Sequence, residues 1–406
     1  MDDAADLAGE SGEIVYQARW LSPDGEQLLS PGCLHVRHGC VVRVWEGTDV
    51  DAVKLGDVAL IPGLINAHTH LEFSDLQRPL AAEAGFPDWI RRVIQSRRER
   101  SGDRLEAIRQ GWAECQASGT TALGEIATDD ATYSELATLG AAGVVFREVL
   151  GLQESAVAAG LETARNWLSA SPTLQDLAPP LTPASATLTR GLSPHAPYSL
   201  HPQLFRGLVD LAAETGAPAA MHLAETREEL ELLAHHRGGL VDLLQSLGLW
   251  RAELFTEFRR PLDYLHELSR CTTALVVHGN YLDDEAIDFL ATQPQMSVVY
   301  CPRTHAAFGH TPHPWRMMRE RGLRVVLGTD SRASNPDLSL VQELRWLHAR
   351  FPDVPVQELL QMATRDAAAA LGKSDQWGEL ALGRPALFTL LQPRGRLTPS
   401  DWSPLL

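Results

Sequence analysis

The chain has 15 histidines in 406 residues, and His68 and His70 form an H-x-H pair within Ile61-Pro-Gly-Leu-Ile-Asn-Ala-His-Thr-His70. An extended chain alternates its side chains from face to face, so both imidazoles lie on one face and can grip one metal ion. Composition alone predicts about 0.5 such pairs, so the spacing is a weak signal by itself. A third imidazole, His222, stands with a carboxylate, Glu225, in Met221-His-Leu-Ala-Glu-Thr226. His278 stands in Val276-Val-His-Gly-Asn280, and Asp330 in Val325-Val-Leu-Gly-Thr-Asp-Ser331. Taken singly, each has an ordinary explanation: an i, i+3 pair on a helix surface, a satisfied core histidine, a helix cap.

Their shared address gives them weight. Short apolar runs bounded by turn signals read Val58 to Ile65, Thr120 to Ile126, Gly143 to Leu150, Thr189 to Ser193, Pro218 to Leu223, Thr273 to His278, Met296 to Tyr300 and Leu323 to Leu327. Between them, Trp89 to Ala117, Pro202 to Glu214, Arg227 to Leu247, Asp283 to Ala291 and Ser339 to Ala349 carry apolar residues at helical spacing. Eight doubly buried strands alternating with helices predict an α/β fold, a (β/α)8 TIM barrel, over residues 58–372. Every chemistry-bearing residue then sits at the C-terminal end of a strand, the face on which such barrels build their sites. Three neutral imidazoles and one carboxylate suit a single divalent ion, zinc before iron, and leave a position open for water. Such an ion lowers the pKa of bound water towards about 7, and Glu225, not needed for ligation, is placed to shuttle protons.

The ends read differently. Glu13 to Leu21, Cys33 to Val36 and Cys40 to Trp45 look like strands around the turns Ser22-Pro-Asp-Gly25 and His38-Gly39, and Leu380 to Leu391 offers another short piece. If these terminal stretches, residues 1–57 and 373–406, pair into one small sheet, they form a second domain that is discontinuous in sequence. Ser169 to Thr189, rich in Ser, Thr, Pro and Ala, reads as a surface loop.

Composition narrows the function. A net charge of −17 disfavours nucleic acid and anionic membrane surfaces, leaving a small-molecule substrate as the expected partner, with a homodimer left open. The acidic first ten residues and the lack of a long apolar run indicate neither signal peptide nor membrane span, so a cytoplasmic location is expected. Five scattered cysteines without a C-x-x-C argue for free thiols. The only lysines are Lys54 and Lys373, which removes lysine chemistry from everything between them.

As a set, these motifs resemble the amidohydrolase superfamily in its mononuclear deaminase and chlorohydrolase branch. P-G-x-x-x-x-H-x-H is matched by Pro62 to His70, H-x-x-E by His222 to Glu225, V-x-H-G by Val276 to Gly279, and G-T-D-S with a later Ser-Asn by Gly328 to Ser331 and Ser334-Asn335. The resemblance implies that His68, His70, His222 and Asp330 bind the metal, that Glu225 shuttles protons, that His278 orients or polarises the attacking hydroxide, and that residues 1–57 and 373–406 form a small β-sandwich. Binuclear members bridge two metals with a carboxylated lysine on strand four. No lysine stands there, which points to one metal.

Within the branch, Asn66 to Ser74, Phe86-x-x-Trp89 and Phe146-Arg-Glu-Val-Leu-Gly151 are similar to aminodeoxyfutalosine deaminases. S-adenosylhomocysteine and methylthioadenosine deaminases share less. His195 in Ser193-Pro-His-Ala-Pro197 resembles a substrate-facing histidine and Trp89 a pocket wall. Glu125 and Glu148 are candidates for ribose hydroxyls, and Arg303 for a substrate anion. Cys301-Pro-Arg-Thr-His305 departs from the usual Cys-Pro-x-Ser-Asn. His305, His310 and His313 form a second cluster with no carboxylate at ligand spacing. The leading expectation is a metal-dependent aminohydrolase that deaminates an adenosine-like nucleoside, aminodeoxyfutalosine first. A chlorohydrolase, or a hydrolase of another cyclic amidine, would use the same site. An inactive binding barrel would have lost a ligand or shuttle residue, and all six are present.

Overall fold

The computed structural model describes residues 12–170 and 188–406. In chain order the strands are β1 (Glu13–Leu21), β2 (Gly32–Arg37), β3 (Cys40–Glu46), β4 (Val53–Pro62), β5 (Leu64–Thr69), β6 (Thr120–Ala127), β7 (Ala142–Val149), β8 (Leu188–Pro194), β9 (Ala219–Leu223), β10 (Ala274–His278), β11 (Met296–Tyr300), β12 (Val325–Leu327) and β13 (Phe388–Leu391). β5 to β12 form the eight-stranded sheet in sequential order, each strand parallel to the next. A parallel bridge between Thr69 and Asp330 brings its two ends together. Gly328 is required at that seam, because a Cβ there would stand 2.9 Å from the Cβ of His68. The result is the expected α/β barrel. Most of the expected loop over Ser169 to Thr189 lies outside the described residues.

Both termini combine in a second sheet of order β13-β4-β1-β2-β3. Among the described residues this small domain is one five-stranded sheet, with its own apolar cluster around Leu21, Leu34 and Leu60. One expectation needs correction. The apolar run Val58 to Ile65 is not a single barrel strand: β4 pairs with β1 and β13 as far as Pro62, and the barrel begins at Leu64. Hydropathy could not separate them, because both strands are buried where they meet. Two helical stretches are likewise divided. Ser101-Gly102 and the Asp103 cap separate Phe86–Glu99 from Arg104–Ala117, and Gly238 separates Arg227–His235 from Gly239–Ser246.

Alternation along the strands sorts side chains into two layers. Ile65, Ala67, Ala122, Ile126, Val144, Phe146, Leu275, Val277 and Val326 fill the barrel interior, while Leu64, Leu123, Val145 and Val276 join the larger core between strands and helices. Among the described residues no helix is long and apolar enough to cross a membrane.

Candidate active site

By simple alternation from Ile65 and Ala67, the residues pointing inward would be odd-numbered, and His68 and His70 would face the helices. A bulge prevents this. Asn66 pairs with Leu123 and Thr69 with Glu125, so β5 carries one extra residue there and its parity flips. His68 and His70 turn into the barrel mouth. β9 delivers His222 in phase with Ala220. His278 and Asp330 lie at left-handed backbone positions, φ 69° and 60°, just where their strands end. Such conformations in non-glycine residues are costly and concentrate at functional sites.

The four elements bring their polar atoms to one point. Nε2 of His68 and Nε2 of His70 are 3.2 Å apart, and Oδ1 of Asp330 lies 3.6 Å and 3.7 Å from them. Ligating atoms of His68, His70 and His222 all lie within 4.8 Å of one another, and all three residues are buried. Two imidazole nitrogens on one tetrahedral zinc, each roughly 2.0–2.1 Å from it, stand about 3.3 Å apart, so this donor set has the size and chemistry to hold one such ion. His222 Nδ1 meets the His195 carbonyl at 3.1 Å, which leaves its Nε2 for the centre. That commitment also argues against a second centre on Glu148, His195 and His222, although these too lie within 4.8 Å of one another.

Electrostatics agree with a ligand cluster. Burial, helped by His68 and His195, pushes His222 down to about 3, and burial drives His70 and His278 well below the ordinary histidine value. Burial thus favours the neutral form of these imidazoles, the form that donates a lone pair to a metal. Burial would raise the Asp330 carboxyl, but His68, His278 and His70 around it hold it far below its usual value. Ser334 Oγ donates to its Oδ2 at 2.5 Å. Glu225 behaves oppositely: burial, then the charges of Asp330 and Glu229, raise its carboxyl well above the usual value. Its Oε1 lies 3.6 Å from Nε2 of His278.

Above these groups opens a cavity of about 500 Å³, lined by His70, His222, Glu225, His278 and Asp330 at its floor. The family profile of the amidohydrolases matches residues 59–402. The chain belongs to the amidohydrolase family. A 5-methylthioadenosine/S-adenosylhomocysteine deaminase of Nitratidesulfovibrio vulgaris is 30% identical over 392 residues, covering 90% of this chain and 80% of its own. The crystal structure of Helicobacter pylori aminofutalosine deaminase with methylthio-coformycin superposes with a TM-score of 0.77 at 22% identity, covering 95% of this chain and 94% of that one. An adenosine deaminase of Xanthomonas campestris with bound zinc gives 0.72 at 22% identity, covering 96% and 87%. This amidohydrolase is thus a hydrolytic enzyme acting on carbon–nitrogen bonds.

The remaining candidates divide. Trp89 lines the cavity, stacked on Phe86 with centroids 5.6 Å apart, and its indole N–H donates to the Ala333 carbonyl at 3.2 Å. His195 lines it too, with Nδ1 2.7 Å from Ser199 Oγ. Glu148 faces inward in phase with Phe146 and lies 3.8 Å from His195 Nε2. Glu125 does not reach the cavity. It follows the outward parity of Leu123, and its two oxygens accept the Leu71 N–H at 3.0 Å and 3.2 Å, so it anchors the turn after His70.

Arg303 must also be withdrawn as a substrate contact. Its Nε donates to Glu343 at 2.6 Å and its terminal nitrogens to Asp337 at 2.9 Å and 2.5 Å, away from the cavity. The arginine that does line the cavity is Arg97, which the sequence reading missed; it does so while one of its terminal nitrogens donates to the buried Glu72 carboxylate, leaving the guanidinium about one-third exposed. Its signal was available: Trp89, Val93 and Arg97 stand at i, i+4 and i+8 of one helix, and all three line the cavity. The second histidine cluster is structural. His313 Nε2 donates to the His278 carbonyl at 2.9 Å and His305 Nε2 to the Thr311 carbonyl at 2.9 Å.

Proposed function

We propose that this amidohydrolase deaminates an adenosine-like nucleoside carrying a large 5′ substituent, with one divalent ion, zinc first, held by His68, His70, His222 and Asp330. The convergence of these four side chains beside the Glu225 carboxyl, itself 3.6 Å from His278, is the observation that carries the reading. When bound there, a divalent ion supplies Lewis acidity that makes water a nucleophile near neutral pH. The chain's own groups do the rest. Asp330, whose carboxyl is held far below its usual value, takes the proton released by the attacking water. His278, 3.6 Å from Glu225, orients that water towards the substrate. Glu225 donates its proton to the purine ring nitrogen as oxygen adds to the neighbouring carbon; Asp330 then passes its proton to the exocyclic amine, the carbon–nitrogen bond breaks with release of ammonia, and Glu225 recovers a proton from the new hydroxyl as the carbonyl forms.

Specificity is read higher in the cavity. Phe86, Trp89, Ile90, Leu152, Leu243 and Leu244 form apolar walls, and Arg97 with Glu148 adds charge to one side. Aminodeoxyfutalosine, with an aromatic carboxylate on its 5′ side, matches an apolar wall followed by a cation. The relatives named for methylthioadenosine and S-adenosylhomocysteine and the neighbour named for aminofutalosine support nucleosides extended at that position. The test is ammonia release from zinc-loaded protein with aminodeoxyfutalosine, 5′-methylthioadenosine, S-adenosylhomocysteine and adenosine. Aminodeoxyfutalosine is expected to give the highest kcat/KM. Equal turnover of all four would remove the substrate assignment, and activity confined to a halogenated triazine would remove deamination itself.

A further inference from the structure

Glu225 must hold its carboxyl at one place in the cavity floor, yet it sits in a turn whose backbone is unfavourable. Ala224, just before it, has φ 53°, in the left-handed region that alanine rarely adopts. All four main-chain polar groups of Ala224 and Glu225 are nevertheless satisfied, by three residues. The Ala224 carbonyl accepts from Tyr281 N at 3.0 Å, and the Glu225 carbonyl from Asn280 Nδ2 at 2.9 Å. The two N–H groups both point at one carboxylate: Ala224 N donates to Glu229 Oε1 at 2.7 Å and Glu225 N to Glu229 Oε2 at 3.1 Å.

Glu229 is the third residue of the Arg227–His235 helix, whose N-cap Thr226 accepts its N–H at 3.2 Å. In an ordinary capping box the side chain at that position returns to the N–H of the cap itself. Here it reaches further back, to the shuttle residue and its neighbour. The carboxylate is fully buried, and among the described residues no cation lies within ion-pair distance of it. Burial pushes it up to about 7 even with the two amides donating to it. A cap alone gives no reason to bury an unpaired acid. Two parallel N–H donors do, because only a carboxylate presents two acceptors and no donor.

We infer that Glu229 is a positioning residue: it clamps the Ala224–Glu225 turn so that the Glu225 carboxyl stays in line with the reacting ring nitrogen. This inference rests on the reading of Glu225 as the proton shuttle. A double-mutant cycle with aminodeoxyfutalosine and zinc-loaded protein tests it. Glu229→Gln replaces one acceptor by an NH₂ group facing an N–H, and kcat should fall at least tenfold with KM changed less than twofold and one zinc retained by elemental analysis. In the Glu225→Gln background the same substitution should cost less than twofold, because the group it positions is already gone. An equal loss in both backgrounds, or no loss in the parent, overturns the inference. Should Glu229→Gln give no folded protein, Glu229→Asp, too short to reach both amides, passes through the same cycle with the same two outcomes. An intact kcat in Glu225→Gln alone overturns the reading of Glu225, and this inference with it.

Discussion

Replacing Arg303 by alanine separates a structural cation from a substrate contact. The guanidinium is largely buried, at 13% exposure, and bonds to a fully buried carboxylate, Glu343, and a partly exposed one, Asp337. Freed of Arg303, Asp337 turns to water, and the loss of a rim pair of that kind is worth about 0–1 kcal/mol. Glu343 cannot follow. Removing one partner of a buried pair typically costs about 3–5 kcal/mol. Glu343 would keep the Arg303 backbone N–H at 2.9 Å and the Asn335 side-chain N–H at 2.7 Å, so the lower end applies and the total is about 3–4 kcal/mol. In a chain larger than 250 residues each kcal/mol moves the melting temperature by roughly 1–2 °C, giving a drop of about 3–8 °C. Scanning calorimetry reads that drop, and kcat/KM for aminodeoxyfutalosine and adenosine reads selectivity, whose ratio should stay within twofold of the parent. An unchanged melting temperature with a collapsed selectivity ratio would refute the argument and return Arg303 to the substrate.

Other outcomes follow from the same geometry. Asp330→Asn should weaken zinc binding and abolish turnover, since a neutral amide ligates a cation poorly and accepts no proton; elemental analysis and ammonia release check it, and near-normal activity removes Asp330 from the mechanism. Glu225→Gln should retain zinc and lose roughly 10²–10⁴-fold in kcat, the usual worth of positioned acid–base assistance; loss of zinc would make Glu225 a ligand. Arg97→Ala should lower the kcat/KM ratio of aminodeoxyfutalosine over adenosine while leaving adenosine turnover within twofold, and an unchanged ratio removes Arg97 from recognition. For the metal-free protein, His222 and His313 are both pushed down to about 3, chiefly by burial. Their folded values lie below the ordinary 6.5, so their contribution is complete above pH 6.5 and is lost as the unfolded chain takes up protons that the folded one refuses. The melting temperature should therefore fall as the pH drops from 6.5 towards 4, and a flat profile over that range would count against neutral buried imidazoles.

Much of this architecture is local and was legible in the sequence. Strand runs such as Ala274–His278 and Met296–Tyr300 are apolar because both faces are buried, and that property survives in a one-dimensional reading. His68, His70, His222, Glu225, His278 and Asp330 were legible because each closes such a run. Period-two phase could have gone further: Glu148 is in step with inward Phe146, whereas Glu125 is out of step with inward Ile126. Other features depend on contacts between distant segments. The bulge that turns His68 and His70 inward is defined only by pairing β5 against β6. The split at Gly63 exists because β4 has partners from both ends of the chain. Arg303 is held off the cavity by Glu343 and Asp337, 40 and 34 residues further along the chain, whereas Arg97 lines it while bonded to buried Glu72; which cation meets the cavity follows from where each guanidinium's carboxylate partner lies in space, and no local pattern in the sequence records that.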